Sequence, residues 1–186
     1  SLPGPVAPGR TGLAVSIAGV RAIQDDGPPR PSEPLRSRRW LDPFLLGVAS
    51  GDPWATSVVL WTRLAPEPLA EDGLGGMPRG AVVVGWQVAA DPGFGDVVRE
   101  GYAVAEPAWA HSVHVEVAGL LPQREYFYRF KWGANVSRIG RTRTAPPPFL
   151  ANRELTFAFV SCQQWTQGYF NAYGDILRRD PQFVVH

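Results

Sequence analysis

The residue of this chain best suited to chemistry is Cys162, the only cysteine among 186 residues. It follows the apolar run 157–160, which has the length and composition of a buried strand. A thiol in this position can be a metal ligand, a nucleophile or an inert buried side chain. All three interpretations stay open on the residue alone, whereas a disulfide within the chain is excluded.

The residues after Cys162 predict that it lies at the edge of an α/β unit. Aromatic and aliphatic side chains recur at helical spacing between residues 169 and 177, and Asp180-Pro181 ends that helix. Residues 183–186 then begin a second strand, so the crossover has the length that joins two parallel strands. Ligands bind beyond the carboxyl ends of such strands, where Cys162 lies. With two strands in the sequence, we expect this sheet to be incomplete.

Composition and charge exclude several classes of function. The formal net charge is +1 and the arginines are scattered, so the sequence predicts no nucleic-acid-binding patch. No apolar run reaches the length of about 20 residues that a membrane-spanning helix needs. His111 and His114 lie three apart on a predicted strand and point to opposite faces, which argues against a shared metal site. Residues 1–40 are rich in Pro, Gly and Arg and predict a flexible leader without a clear export signal.

Residues 41–147 predict a β-sandwich. Short segments with strand-like alternation follow one another at regular spacing and are separated by turn residues. The clearest alternation places Val113, Val115 and Val117 on one face of a strand. The predicted strands cover residues 57–64, 81–89, 96–102, 112–117, 125–132 and 138–144.

A corner motif sharpens this fold prediction. Residues 119–126 read GLLPQREY and resemble the fibronectin type III pattern, in which a leucine, a proline and a tyrosine mark the corner before strand F. The matching tyrosine is Tyr126, whose hydroxyl would bond to nearby backbone. Trp61 and Trp86 would be core aromatics that face each other between the sheets. The predicted fold is mostly β: a fibronectin type III-like sandwich followed by the first β-α-β of an incomplete α/β domain.

Several further runs resemble the PhoD-like alkaline phosphatases, and together they cover about residues 41 to 186. In the sandwich they are GVASGDP (47–53), VLWTRL (59–64), WQVA (86–89) with Asp91 and Phe94, HSVHV (111–115) and IGRTRT (139–144). In the α/β unit they are FAFVSCQ (157–163), GYFNAY (168–173) and FVVH (183–186). Their number and order make the resemblance specific.

The resemblance implies a secreted, periplasmic or cell-surface metallophosphoesterase that hydrolyses phosphate mono- and diesters by metal-assisted catalysis. Its site is built on iron and calcium, and the position that matches the iron-binding cysteine is Cys162. The family continues after the second strand with Leu-Gly-Asp-Tyr, which this sequence lacks. We therefore expect a leader at 1–40, a fibronectin-like PhoD N-terminal domain at 41–147 and the truncated start of the metallophosphoesterase domain at 154–186. We expect this chain alone to be inactive, with no catalytic residue of its own and no tightly bound metal.

Two alternatives stay open at this point. The first is a non-catalytic fibronectin-like binding module, which would need no α/β tail. The second is a protein like the purple acid phosphatases, which also join a fibronectin-like domain to a metallophosphoesterase domain. Cys162 argues against the second, because that resemblance would predict a carboxylate at the end of the first strand.

Overall fold

The computed structural model describes residues 42–150, 154–164 and 168–186. The predicted leader at 1–40 lies outside these described residues. The strands of the described residues are β1 Val48–Gly51, β2 Ser57–Arg63, β3 Val82–Ala89, β4 Val97–Ala105, β5 Ser112–Ala118, β6 Glu125–Trp132, β7 Asn135–Val136, β8 Gly140–Arg143, β9 Phe157–Phe159 and β10 Phe183–Val185. Within the described ranges there is one α-helix, α1, which covers Asn171–Arg179.

Strands β1 to β8 form two antiparallel sheets. The smaller sheet has the order β1-β2-β5. The larger has the order β4-β3-β6-β7, and β8 also pairs with β6. Strands β7 and β8 are interrupted at Ser137, whose hydroxyl oxygen accepts the Phe130 N–H at 2.9 Å and so preserves one bond of the ladder. The predicted fibronectin-like, mostly β fold is confirmed.

Alternating side chains from both sheets build the core. Tyr126, Tyr128 and Phe130 point inward from β6, and the three valines predicted to share a face of β5 are all buried. The same core contains Val84 and Val88 of β3 and Val58 and Leu60 of β2, each fully buried. The period of two in the sequence therefore places the apolar set of each strand in one continuous core.

The predicted contact between Trp61 and Trp86 is wrong. Trp86 is partly buried and packs against the core, with its indole over the position of Gly101. Trp61 instead lies on the outer face of β2, because Val58, Leu60 and Thr62 occupy the inner face. Its neighbours across the sheet are Ala49 and His114. The alternation of the strand leaves only one of the two tryptophans available to the core.

Tyr126 forms the corner between the sheets. Its hydroxyl oxygen accepts a hydrogen bond from the backbone N–H of Leu121 at 2.9 Å. Thr144 supports the same corner, since its hydroxyl donates to the Leu121 carbonyl oxygen at 2.7 Å. The ring of Tyr126 is buried, so the hydroxyl cannot leave this position without uncovering core.

Replacing Tyr126 by phenylalanine should lower the free energy of unfolding by about 1–2 kcal/mol, because the Leu121 N–H loses its acceptor while the ring still packs. Urea unfolding of the 186-residue chain measures this cost. Tyr102→Phe, at an exposed tyrosine on β4, is the matched control and should change stability little. Equal stability of the two variants would show that the corner bond contributes nothing.

The second unit is a single parallel β-α-β. Strand β9 pairs with β10, and α1 connects them, as the sequence predicts. Phe157 and Phe183 lie opposite each other, with their rings stacked at a centroid distance of 5.3 Å. Both strands are largely exposed, so two strands and one helix bury little apolar surface of their own. Among the described residues, no helix is both long and apolar enough to cross a membrane.

Candidate functional site

Cys162 lies just beyond the carboxyl end of β9. The Val160 N–H donates to the Val185 carbonyl oxygen at 2.9 Å, two residues before the cysteine. Cys162 is exposed in this chain, so the described residues do not bury its thiol. Its φ of +57° is in the left-handed region, a conformation that costs a residue with a side chain free energy. The chain therefore presents an accessible thiol at the sheet edge where ligands bind.

The loop that carries Cys162 is tied to the crossover helix. The hydroxyl of Tyr173, on α1, donates to the Gln163 side-chain oxygen next to the cysteine. Nothing in the spacing of the two residues in the sequence indicates this contact. His186 follows β10 at the same edge of the sheet and is exposed.

The residues present do not complete a metal centre. Within residues 42–150, 154–164 and 168–186, no group of three or more His, Cys, Asp or Glu side chains could hold a metal ion. A two-metal site requires several such ligands, and a single thiolate cannot replace the others. The described residues therefore do not bring together a complete set of metal ligands.

The amino ends of the parallel strands face the sandwich. A cleft of about 190 Å³ is lined on one side by Leu155, Gln182 and Phe183, which lie at the starts of β9 and β10. On the other side it is lined by Pro53, Gln123 and the segment 143–146 of the sandwich. The carboxyl edge with Cys162 consequently points away from the sandwich.

The run WQVA with Asp91 and Phe94 has a structural role in the larger sheet. The Gln87 side-chain oxygen accepts two hydrogen bonds from Arg129, at 2.8 and 3.0 Å, and its amide donates to Glu100 at 2.7 Å. The Arg129 guanidinium also lies 3.9 Å from the centre of the Phe94 ring. In the adjoining turn, hydrogen bonds from the backbone N–H groups, above all that of Asp96, lower the pKa of Asp91. These residues hold three strands together.

The run HSVHV is structural as well. His111 is fully buried and, contrary to the prediction, lies before the strand instead of on it. It precedes β5 with a φ of +56°. Its Nε2 lies 2.9 Å from the Pro78 carbonyl oxygen and its Nδ1 lies 3.2 Å from that of Ala105. His114 is exposed on the outer face of β5. The imidazole of His111 thus joins the loop before β3 to the end of β4.

Tyr128 links the two sheets at the opposite edge of the sandwich. Its ring is buried and lies over Gly140, and its hydroxyl forms a hydrogen bond with Ser50 of β1. Burial raises the pKa of Tyr128 above its ordinary value, because the phenolate would lose water, and the bond to Ser50 offsets part of this.

The stability of the sandwich should therefore fall at high pH partly through Tyr128. A raised pKa means that the folded chain holds this proton more tightly, so the contribution is complete below about pH 10 and is lost as the pH rises further. Urea midpoints at pH 8 and pH 11 test this. Tyr128→Phe should lose less stability between the two than the parent chain, whereas Tyr102→Phe should lose as much. Equal losses in all three would contradict the assignment.

Fold and site together define a class: a fibronectin-like domain followed by an α/β unit with a candidate ligand at its edge. The family model described as the PhoD-like phosphatase N-terminal domain matches residues 30–146, and that of the PhoD-like phosphatase matches residues 157–186. The chain belongs to the PhoD-like phosphatase family, as its motifs predict.

Two relatives show how much of such a protein the chain represents. Alkaline phosphatase D of Bacillus subtilis (strain 168) is 53% identical over 144 residues, which are 77% of this chain and 24% of that protein. A solved structure of PhoD has 51% identity and a TM-score of 0.73, and the match covers 77% of this chain and 27% of that one. The chain thus spans about a quarter of the length of the relatives that it matches.

Proposed function

We propose that this chain is the N-terminal part of an exported phosphatase that hydrolyses phosphate mono- and diesters with the help of bound metal. The observation that carries the proposal is the exposed Cys162 at the ligand-binding edge of a parallel sheet. Membership in the PhoD-like phosphatase family supports it, as does the similarity to alkaline phosphatase D. Iron and calcium are the metals that we propose for the complete centre.

Within that centre, Cys162 would be a ligand rather than the group that attacks phosphorus. A thiolate is a soft ligand suited to iron and other transition metals. Tyr173 and Gln163 would fix the loop, and so the direction in which the thiolate points. Because no three His, Cys, Asp or Glu side chains of the described residues come together as a metal site, we propose that the 186 residues alone neither bind iron tightly nor turn over substrate. The domain limits 41–147 and 154–186 remain a prediction, which the family matches at 30–146 and 157–186 support.

The binding-module alternative differs from this proposal in one respect. A fibronectin-like module has no need of residues 157–186, yet these residues match the PhoD-like phosphatase family and form a parallel β-α-β. The exposed strand β10 would also be an aggregation hazard in such a module. The phosphatase proposal accounts for both observations.

A chimaera tests the proposed function. The segment of B. subtilis alkaline phosphatase D that aligns with this chain is replaced by the aligned 144 residues of this chain. We expect the chimaera to hydrolyse p-nitrophenyl phosphate and bis-p-nitrophenyl phosphate and to contain iron and calcium, and the 186-residue chain to do neither. A folded chimaera without metal or turnover would contradict the proposed role of Cys162. Turnover by the 186 residues alone would contradict the proposed incompleteness.

A further inference from the structure

Arg141 stands between two carboxylates that belong to different units. It lies on β8 opposite Phe127 of β6, on the outer face of the larger sheet. Its Nε is 3.6 Å from a Glu125 carboxylate oxygen in the same sheet. Its guanidinium also donates to the Asp180 carboxylate of the α/β unit. A single arginine of the sandwich therefore bonds directly to the chain that leads into β10.

Asp180 is held in place by the helix that it ends. Its backbone N–H donates to the Leu177 carbonyl oxygen, and its φ of +45° turns the chain away from α1. The two preceding arginines are engaged elsewhere, since both donate to Asp175 within the helix. Arg141 is thus the partner that the sandwich supplies to Asp180.

The contact extends from Asp180 to the start of the parallel sheet. Pro181 follows Asp180, and then the Gln182 N–H donates to the Thr156 carbonyl oxygen at 2.9 Å. The Gln182 side chain also accepts a longer bond from the Thr156 N–H at 3.4 Å. Gln182 lines the same cleft as Pro53 and Gln123 of the sandwich. The amino ends of both parallel strands are therefore fixed close to the sandwich.

We propose that this surface, built from Arg141, the cleft and Asp180, is a docking surface through which the sandwich orders the first β-α-β. The occupant is the amino-terminal edge of the parallel sheet of the same chain. The reason lies in the unit itself, whose strands and helix bury too little apolar surface to be stable alone. Docking on this edge leaves the opposite edge, with Cys162, open to ligands. Arg141 is thereby a positioning residue, and the inference rests on the fold rather than on the proposed activity.

Hydrogen exchange followed by mass spectrometry of the 186-residue chain tests the proposal. Arg141→Asp places like charges beside Asp180 and Glu125, and it should speed exchange of peptides covering 157–160 and 171–186 about two- to fivefold, as expected for an exposed ion pair. Peptides of the sandwich should exchange as in the parent chain and show that the variant is folded. Arg141→Lys keeps the charge and should restore slow exchange.

Matched variants separate docking from general loss of charge. Arg138→Asp makes the same charge change at another exposed arginine of the sandwich and should leave residues 171–186 unaffected. Asp180→Asn should speed exchange on its own, whereas in the Arg141→Asp background it should slow exchange, because it removes the repulsion between the two carboxylates. At 1 M salt the difference between parent and Arg141→Asp should shrink, since exposed charges are screened within about 3 Å.

Two results would overturn the proposal. If Arg141→Asp and Arg138→Asp have equal effects on residues 171–186, Arg141 does not hold the unit. If Arg141→Asp speeds exchange of the sandwich and of the α/β unit alike, the arginine supports the fold in general and not the docking. Neither result depends on phosphatase activity, so the docking surface can fail while the proposed function stands.

Discussion

Replacing Gly140 by alanine should lower the free energy of unfolding of the sandwich by about 3 kcal/mol, at the upper end of the range for overpacked cores. A Cβ atom at this position would lie 2.2 Å from Cζ of Tyr128 and 2.6 Å from both Cε atoms. The ring has no room to withdraw, because it is buried and packs edge-on against Phe130, and its hydroxyl bonds to Ser50. The measurement is urea unfolding of the 186-residue chain, followed by tryptophan fluorescence.

Two variants isolate the steric cause. Gly80→Ala introduces the same methyl group where nothing lies within 4 Å, and it should change stability by less than about 0.5 kcal/mol. In a Tyr128→Ala background the clash has no partner, so Gly140→Ala should then cost little. A full cost of Gly140→Ala in that background would mean that the backbone, and not the ring of Tyr128, requires glycine.

Replacing Cys162 by alanine in the chimaera with B. subtilis alkaline phosphatase D should reduce turnover of p-nitrophenyl phosphate at least about 100-fold, with loss of bound iron. The reason is that an iron ligand would be absent, while the exposed loop can accept a smaller side chain without a core defect. Metal content and kcat/KM are measured on the same preparation. In the 186-residue chain the substitution should leave stability nearly unchanged.

Ser161→Ala is the matched control for this prediction, since it changes the adjacent exposed residue of the same loop. It should keep most of the iron and most of the activity. If Cys162→Ala retains iron and full turnover, the thiolate is not a ligand. If it retains iron but loses turnover, Cys162 acts on the substrate rather than on the metal.

The fold could be predicted from sequence wherever side chains alternate strictly. The three valines of β5 and the aromatic residues of β6 occupy the core face that their spacing indicates. Tyr126 makes the backbone bond that the corner motif suggests. The parallel pair β9 and β10 follows from the length of the crossover between them. These signals are local, so neighbouring residues suffice to interpret them.

Features that depend on distant partners could not be predicted. Strand β1 contains small residues without alternation, and its conformation is set by pairing with β2. The fibronectin-like sandwich predicts Trp61 in the core, whereas the register of β2 places it outside. Burial of His111 depends on the carbonyl group of Pro78, which is 33 residues away in the sequence, as well as on that of nearby Ala105. Burial and register are properties of the assembled sheets.

The candidate site, too, has some features that the sequence predicts and others that it does not. The place of Cys162 at a strand end follows from the apolar run before it, whereas its exposure and left-handed backbone required the structure. The contact of Tyr173 with Gln163 and that of Arg141 with Asp180 have no signature in the sequence. Both join residues on different elements, so their positions depend on how those elements pack.

The place of β8 in the sandwich also sets an order of events during synthesis. This strand pairs with β6 and contacts β1, so the sandwich can close only when its last strand has left the ribosome. The same strand carries Arg141, and β9 is translated after it. Because domains generally fold as units from the amino terminus, a folded sandwich would exist before the first parallel strand emerges from the ribosome. Nascent β9 and β10 would then meet a folded neighbour instead of solvent.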